Sequence, residues 1–303
     1  MYTIKQASTR TGLGAPLIRA WERRYGVVSP ARTASGYRLY DEAELKVLMQ
    51  MRALVDSGWT ASEAARAIGA GEVAVEEASA GPPDGSHPAP SGAPAYRARL
   101  IERFVAAAES TSPAETEAVL DEILAAGSFE AVVDDILLPA TAALGESWAG
   151  GRLSVAGEHA ASAAVARRLS AAYQAAGAAG RATVLVGLPP ASRHEIGALA
   201  FAVALRRLGV GVVYLGPDLP VDAWRDVVRR TRPRAVVVGV VTAADLEAAR
   251  AVVDAVRVES VELIAVGGAA TTLDPALPDG VLVLPSRVVE AAAVVARAVG
   301  RRG

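Results

Sequence analysis

Cysteine is absent from all 303 residues. Disulfides, thiolate metal sites and a cysteine nucleophile are therefore excluded. Histidine occurs only three times, and aromatic residues make up just 5% of the chain. The abundance of Ala, Val and Leu suits tightly packed helices and parallel strands and argues against disorder over most of the length. No apolar run reaches the roughly 20 residues that a membrane span requires. The strongest, such as AVVVGVV at 235–241, have the length of strands. The opening stretch MYTIKQASTRTG lacks the apolar centre of a secretory signal. A soluble, cytoplasmic protein is expected, with no membrane partner. The formal net charge of −2 identifies no partner, because local charge matters more than the total.

A chain of this length can form two or three domains, each with its own core. Residues 71–95, GEVAVEEASAGPPDGSHPAPSGAPA, mix Pro, Gly, Ser and acidic residues without periodicity. Such a segment buries too little apolar surface to offset its ordering entropy, so it reads as a flexible linker, with His87 solvated inside it. It separates a head at 1–70 from the rest. Residues 96–178 place apolar side chains at three- and four-residue intervals, as in YRARLIERFVAAAE and PAETEAVLDEILAAG. Breaks at STSP, GS and GG divide them into four helices of an antiparallel bundle. Residues 179–303 alternate short β-branched runs (ATVLVGL, GVGVVYLG, RAVVVGVV, ELIAVGG, GVLVLP) with helical stretches. That alternation predicts a parallel sheet covered on both faces, with ligands met at the carboxyl ends of its strands.

The head begins YTIKQASTRTGLGAPLIRAWERRYG: a helix, a tight turn at Gly12-Leu13-Gly14, and a second helix carrying Arg19, Arg23 and Arg24 near Trp21 and Tyr25. A ribbon follows with Arg32, Tyr37 and Arg38, ended by Asp41 as the N-cap of the next helix. Basic charge is concentrated on one helix and one ribbon. A helix–turn–helix with a basic wing enters the major groove and grips phosphates, so double-stranded operator DNA is the expected partner. These residues, with the following P-R-T-x-x-G-Y-R-L-Y-D, resemble the DNA-binding domain of MerR-family regulators over residues 2–70. The long antiparallel coiled coil usual in that family is not evident here, which moves any dimerisation to the effector region.

His194 follows the first strand of the α/β segment, in GLPPASRHEIGALA. A neutral imidazole offers one nitrogen to a transition metal, and its other nitrogen needs a partner that fixes the tautomer; Ser192 is the candidate partner. The segment resembles the cobalamin-binding motif Asp-x-His-x-x-Gly, with His194 as the cobalt axial ligand and Gly197 as the motif glycine. A bundle preceding a flavodoxin- or Rossmann-like domain is also that family's order. The resemblance further implies that the paired Gly267 and Gly268 let the backbone approach the nucleotide tail. Ser192 stands where the family has an acidic residue, which implies a less basic histidine. The family's Ser-x-Leu step falls near Val241 and Thr242, a partial match.

The bundle contains WAGGRLSVAGEH at 148–159. Trp148, Val155, Glu158 and His159 match, in spacing, the adenosylcobalamin cap of the CarH/LitR-type light-sensing regulators. There the resemblance implies Trp148 as an apolar lid, Val155 as an added apolar contact, and Glu158 and His159 as polar groups for a ribose or adenine edge. It also implies a repressor, not an enzyme. The resemblance implies that in darkness adenosylcobalamin lies between bundle and α/β domain while a homotetramer holds operator DNA, and that light breaks the cobalt–carbon bond and disperses the assembly into monomers or smaller species. In the family a histidine after the cap tryptophan captures cobalt after photolysis. Here that position is Ala149, so the illuminated state is expected to lack a second histidine bond unless His159 takes it over. Two rivals remain: a corrinoid carrier, which has no use for a DNA-reading head, and a MerR-like regulator that senses cobalamin supply or another ligand without photochemistry.

Overall fold

In the computed structural model the described residues are 1–33, 36–56, 61–69, 94–177, 184–272 and 280–300. Residues 71–93 of the expected linker, His87 among them, lie outside the described residues, while its last two, Pro94 and Ala95, open a helix. The chain forms two compact units, Met1–Ala164 and Val165–Gly303.

The first unit opens with β1 (Tyr2–Thr3), α1 (Ile4–Thr11) and α2 (Ala15–Tyr25). The sequence reads as helical from Tyr2, but Thr3 is extended (φ −66°, ψ 160°) and forms a capping box with Gln6. The helix therefore starts at Ile4. Tyr2 is left to pair with Tyr40 in a three-stranded antiparallel sheet, in which β3 (Arg38–Tyr40) lies between β1 and β2 (Ala31–Arg32). The α1–α2 turn depends on Gly12: its φ is +69°, and a Cβ there would lie 2.0 Å from the Arg52 guanidinium. Asp41 caps α3 (Glu42–Asp56) as expected, its Oδ1 accepting the Glu44 N–H at 2.8 Å. With α4 (Ala61–Gly69), the head closes over Ile18, Trp21, Tyr40, Leu45, Leu48 and Met51.

The same unit contains α5 (Pro94–Glu109), α6 (Pro113–Ala125), α7 (Phe129–Val132), α8 (Leu138–Ala149) and the start of α9 (Val155–Ala175). Between α7 and α8 the stretch 133–137 widens into a π-turn, closed by Leu138 N–H to the Val133 carbonyl. Sequence periodicity predicts an unbroken helix here. Pro139, in the first turn of α8, has no N–H to continue the i→i−4 ladder, and the turn before it absorbs the mismatch. Gly157 brings α9 close to α5: a Cβ there would sit 2.7 Å from the Ala108 carbonyl oxygen.

The second unit is a five-stranded parallel sheet: β4 (Val184–Gly187), β5 (Val212–Gly216), β6 (Ala235–Gly239), β7 (Leu263–Gly267) and β8 (Leu282–Val283). Its order is β5-β4-β6-β7-β8. The connecting helices are α10 (Ile196–Arg207), α11 (Val221–Thr231) and α12 (Asp245–Arg257), and α13 (Val288–Gly300) ends the unit. Helix α10 packs on α13, and α11 on α12. Alternate residues of β6 serve opposite faces: Val236 and Val238 join a core with Trp224, Val228, Val252 and Val253 from α11 and α12. This flavodoxin-like order places the topological switch between β4 and β6, where the loops leaving their carboxyl ends diverge and open a crevice.

Candidate functional site

In the head, Arg19, Arg23, Arg24, Arg32 and Tyr37 are exposed. They come from α2 and the ribbon β2–β3, the elements expected to meet DNA. Trp21, expected beside them, is instead 1% exposed. Its Nε1–H donates to the Ala125 carbonyl at 3.4 Å, so it is a core residue. Ile18, Trp21 and Tyr25 are spaced three and four residues apart and share the inward stripe of α2. Tyr25 is half-buried, and burial raises its phenol pKa above the usual value. Arg24 lies 3.9 Å from Glu122. Arg38 donates from Nε to both Glu22 oxygens, at 3.0 and 2.7 Å, which raises its already high pKa. Tyr40 adds an O–H bond to the same carboxylate at 3.3 Å. Glu22 thus fixes the wing to the helix and compensates one of the head's arginines.

In the bundle, Trp148 is 51% and Val155 58% exposed; neither commits its apolar surface to the core. Glu158 accepts from Ser162 Oγ at 2.6 Å and pairs with His159 Nδ1 at 2.7 Å. A carboxylate only accepts, so Nδ1–H is the donor of this pair. Ala149 ends α8, and the following loop is tied down by Arg152 and Leu153 N–H bonds to the Ser147 carbonyl. Ser147 Oγ in turn donates to Glu109. Neither Ser147 nor Glu109 was singled out from sequence, because their pairing joins helices 38 residues apart.

In the α/β unit, His194 is exposed in the loop between β4 and α10. Ser192 is 1% exposed, and its Oγ has no hydrogen-bond partner. The expected Ser192–His194 bond is therefore not formed. The serine is drawn inward by its own backbone: its N–H donates to the Pro189 carbonyl at 3.2 Å and its carbonyl accepts from Asp218 N–H at 2.9 Å. Glu195 accepts from the Tyr214 hydroxyl at 2.9 Å. Burial and the adjacent Glu195 carboxylate raise the Tyr214 pKa far above the usual phenol value, so this proton stays with the tyrosine.

Gly197 lies in the first turn of α10, and a Cβ there would meet nothing within 4 Å. Neither its conformation nor its packing within the chain requires glycine. Gly268 differs: its φ is +131° and a Cβ would sit 2.3 Å from the Val240 carbonyl oxygen. Gly267 is hemmed by Leu284 at 3.2 Å. Gly268 is thus required by the chain's own backbone, whereas a methyl at Gly267 would press only on the Leu284 side chain. Thr242 and Val241 donate their N–H groups to the buried Asp245 carboxylate at 2.8 and 3.0 Å, which sets the loop after β6.

Among the described residues no three His, Asp or Glu side chains cluster as a bare-ion site. A macrocycle, which brings most of its metal's ligands with it, needs only one such side chain. The exposed imidazole, the orphaned Ser192 hydroxyl and the open space beside Gly197, all at the switch-point edge, fit such a group. No helix among the described residues is long and apolar enough to cross a membrane.

Comparison with known proteins bears on both halves of the chain. The profile of MerR HTH family regulatory proteins matches residues 2–70, and that of the B12 binding domain matches residues 100–173. The chain is 37% identical over 232 residues to the HTH-type transcriptional repressor CarH of Myxococcus xanthus, covering 77% of this chain and 76% of CarH. It is 32% identical over 271 residues to the repressor CarA of the same organism, covering 88% and 85%. Among solved structures, the monomethylamine corrinoid protein of Methanosarcina barkeri aligns with a TM-score of 0.52 at 15% identity, covering 67% of this chain and 99% of that one. The last likeness is one of fold alone.

Proposed function

Because the chain belongs to the MerR-type transcriptional repressors that carry a B12-binding domain, the group of CarH and CarA, we propose that it is a light-responsive repressor with adenosylcobalamin as chromophore. The observation that carries this reading is His194, exposed at the switch-point edge beside a glycine whose side-chain space is empty. When bound, adenosylcobalamin supplies a cobalt–carbon bond that light can break.

The chain's own residues do the rest. His194 is the residue that would hold the cobalt, through its exposed imidazole. Gly197 leaves room beside that imidazole, while Thr242, Gly267 and Gly268 flank the cofactor's nucleotide tail. Trp148 and Val155 are the exposed apolar side chains that would receive the cofactor's adenosyl group. Glu158 orients His159 and presents polar atoms to a ribose or adenine edge. Contacts of these side chains with the bound cofactor would favour one conformation over another, since a ligand shifts an equilibrium only through such differential affinity. Arg19, Arg23, Arg24 and Arg32 meet operator DNA. A dark homotetramer multiplies these contacts through effective concentration, and lit monomers or smaller species lose that gain.

A DNA-reading head joined to a B12-binding domain also fits a second reading, in which the protein senses cobalamin supply without photochemistry. An absorption spectrum of the purified chain, mixed with adenosylcobalamin in darkness, desalted and then exposed to green light, separates the two. A retained corrin whose spectrum changes irreversibly supports the photoreceptor. A retained corrin whose operator binding ignores light supports the supply sensor, and no retained corrin removes both.

A further inference from the structure

The loop that carries His194 is held in an unusual conformation. Ala191 has φ +65°, a left-handed value that a residue with a side chain seldom adopts. Across from it, in the loop after β5, Asp218 also has a positive φ, +54°. The two meet directly. Asp218 Oδ1 accepts the Ala191 N–H at 2.7 Å, and Asp218 N–H donates to the Ser192 carbonyl at 2.9 Å. Its other carboxylate oxygen lies 3.9 Å from the Arg193 guanidinium. One residue thus holds the backbone of two consecutive residues, 191 and 192, just before His194.

The rest of the contact extends this clamp. Leu188 N–H donates to the Gly216 carbonyl at 3.0 Å, and Leu219 N–H donates back to the Leu188 carbonyl at 3.3 Å. Two disfavoured backbone conformations and one buried, unpaired Ser192 hydroxyl therefore gather in a single loop pair. Strain of this kind persists where the surroundings over-determine it, and its placement at the sheet's switch point gives it a use.

We propose that Asp218 is the positioning residue of the metal-binding loop. By fixing Ala191 and Ser192 it presents the His194 imidazole outward in a single orientation, ready to ligate a corrinoid cobalt. The orienting that a carboxylate at position 192 would give is thereby supplied from the neighbouring loop. The inference rests on the cobalamin reading of His194 given above. Aspartate suits the position because its short side chain reaches a neighbouring N–H and because it tolerates the left-handed backbone better than most residues.

The test compares the full chain with Asp218→Gly, which accepts the positive φ but lacks the carboxylate, and Asp218→Asn, which keeps an acceptor oxygen. Each is prepared with nitrogen-15-labelled histidine, loaded with cobalamin and reduced to the cobalt(II) state. Electron paramagnetic resonance then identifies the axial nitrogen: labelled histidine splits the cobalt lines into doublets, and the cofactor's own unlabelled base into triplets. Doublets are expected for the wild type and for Asp218→Asn. For Asp218→Gly the doublets are lost and cobalamin affinity falls about 10- to 100-fold, the usual cost of losing a partner behind a metal ligand. In the cofactor-free chain, Asp218→Gly also speeds hydrogen exchange at the Ala191 amide, a readout independent of cobalamin. Doublets and unchanged affinity in Asp218→Gly overturn the inference. So does an Asp218→Asn variant as impaired as the glycine variant. A wild type that binds no cobalamin overturns the reading of His194, and this inference with it.

Discussion

Gly197→Ala separates the needs of the fold from those of a ligand. Position 197 lies in the first turn of α10, and a Cβ built there finds no atom within 4 Å. Alanine therefore introduces no clash and lowers the conformational entropy of the unfolded chain. The cofactor-free protein should gain about 0.5–1 kcal/mol. Bound corrinoid changes the sign. If the open space beside His194 is where the macrocycle lies, the added methyl overpacks a formed contact, at a cost of about 1–3 kcal/mol. That corresponds to a loss of about 5- to 150-fold in affinity. Thermal unfolding of the cofactor-free chain gives the first number, and a spectral titration with adenosylcobalamin in darkness gives the second. An affinity equal to that of the wild type would refute the placement of the ligand. A destabilised cofactor-free chain would instead show that glycine serves the fold.

The other glycine of interest behaves oppositely. Gly268→Ala forces a side chain onto a φ of +131° and against the Val240 carbonyl, so urea unfolding should reveal a loss of about 2–6 kcal/mol even without cofactor; a loss below about 1 kcal/mol contradicts the geometry. Arg23→Ala should weaken operator binding by about 1–3 kcal/mol where the arginine makes a bidentate base contact, whereas a phosphate contact would lower the salt slope by about one; gel-shift titrations at several salt concentrations distinguish these, and unchanged binding at every salt removes Arg23 from the interface. Tyr40 gives a pH dependence. Burial pushes its phenol up from 10.0 to about 12, so as pH rises past 10 the unfolded chain releases this proton while the folded head keeps it. The stabilisation is complete below pH 10 and lost as pH passes about 12; chemical unfolding across that range should show a smaller alkaline loss for Tyr40→Phe than for the wild type.

Much of the architecture was legible in the sequence because its signals are local. The doubly apolar runs at 184–187, 212–216, 235–239 and 263–267 became strands, buried throughout in β4 and β6 and only partly along β5 at the sheet edge, since a sheet covered on both faces takes Val, Leu and Ile at consecutive positions. The turn at Gly12 and the Asp41 cap were equally readable, each resting on one residue's backbone preference. Where two preferences compete, the sequence was less informative. Tyr2 fits a helical pattern, yet the capping box at Thr3 hands it to the sheet. Trp21 sits among arginines along the chain, but α2 turns it inward with Ile18. That orientation was present in the three- and four-residue spacing and was obscured by the basic neighbours.

The sequence by itself determined which chemistry is available. Without cysteine no thiolate can hold a metal, and among the few imidazoles His194 stands where a parallel strand ends. The order of head, bundle and α/β segment was likewise written in composition and periodicity. Only the tertiary structure decided how those residues are presented. Ser192 turns inward without a partner, Glu158 rather than a more distant group orients His159, and Asp218, twenty-seven residues from Ala191 along the chain, clamps the loop before His194. The physical reason is common to these cases. Hydrophobic periodicity and turn chemistry act within a few residues and can be read along a line. The conformation of a loop between strands is settled by whichever backbone groups a neighbouring loop brings to it, and that neighbour is chosen by the order of strands in the sheet.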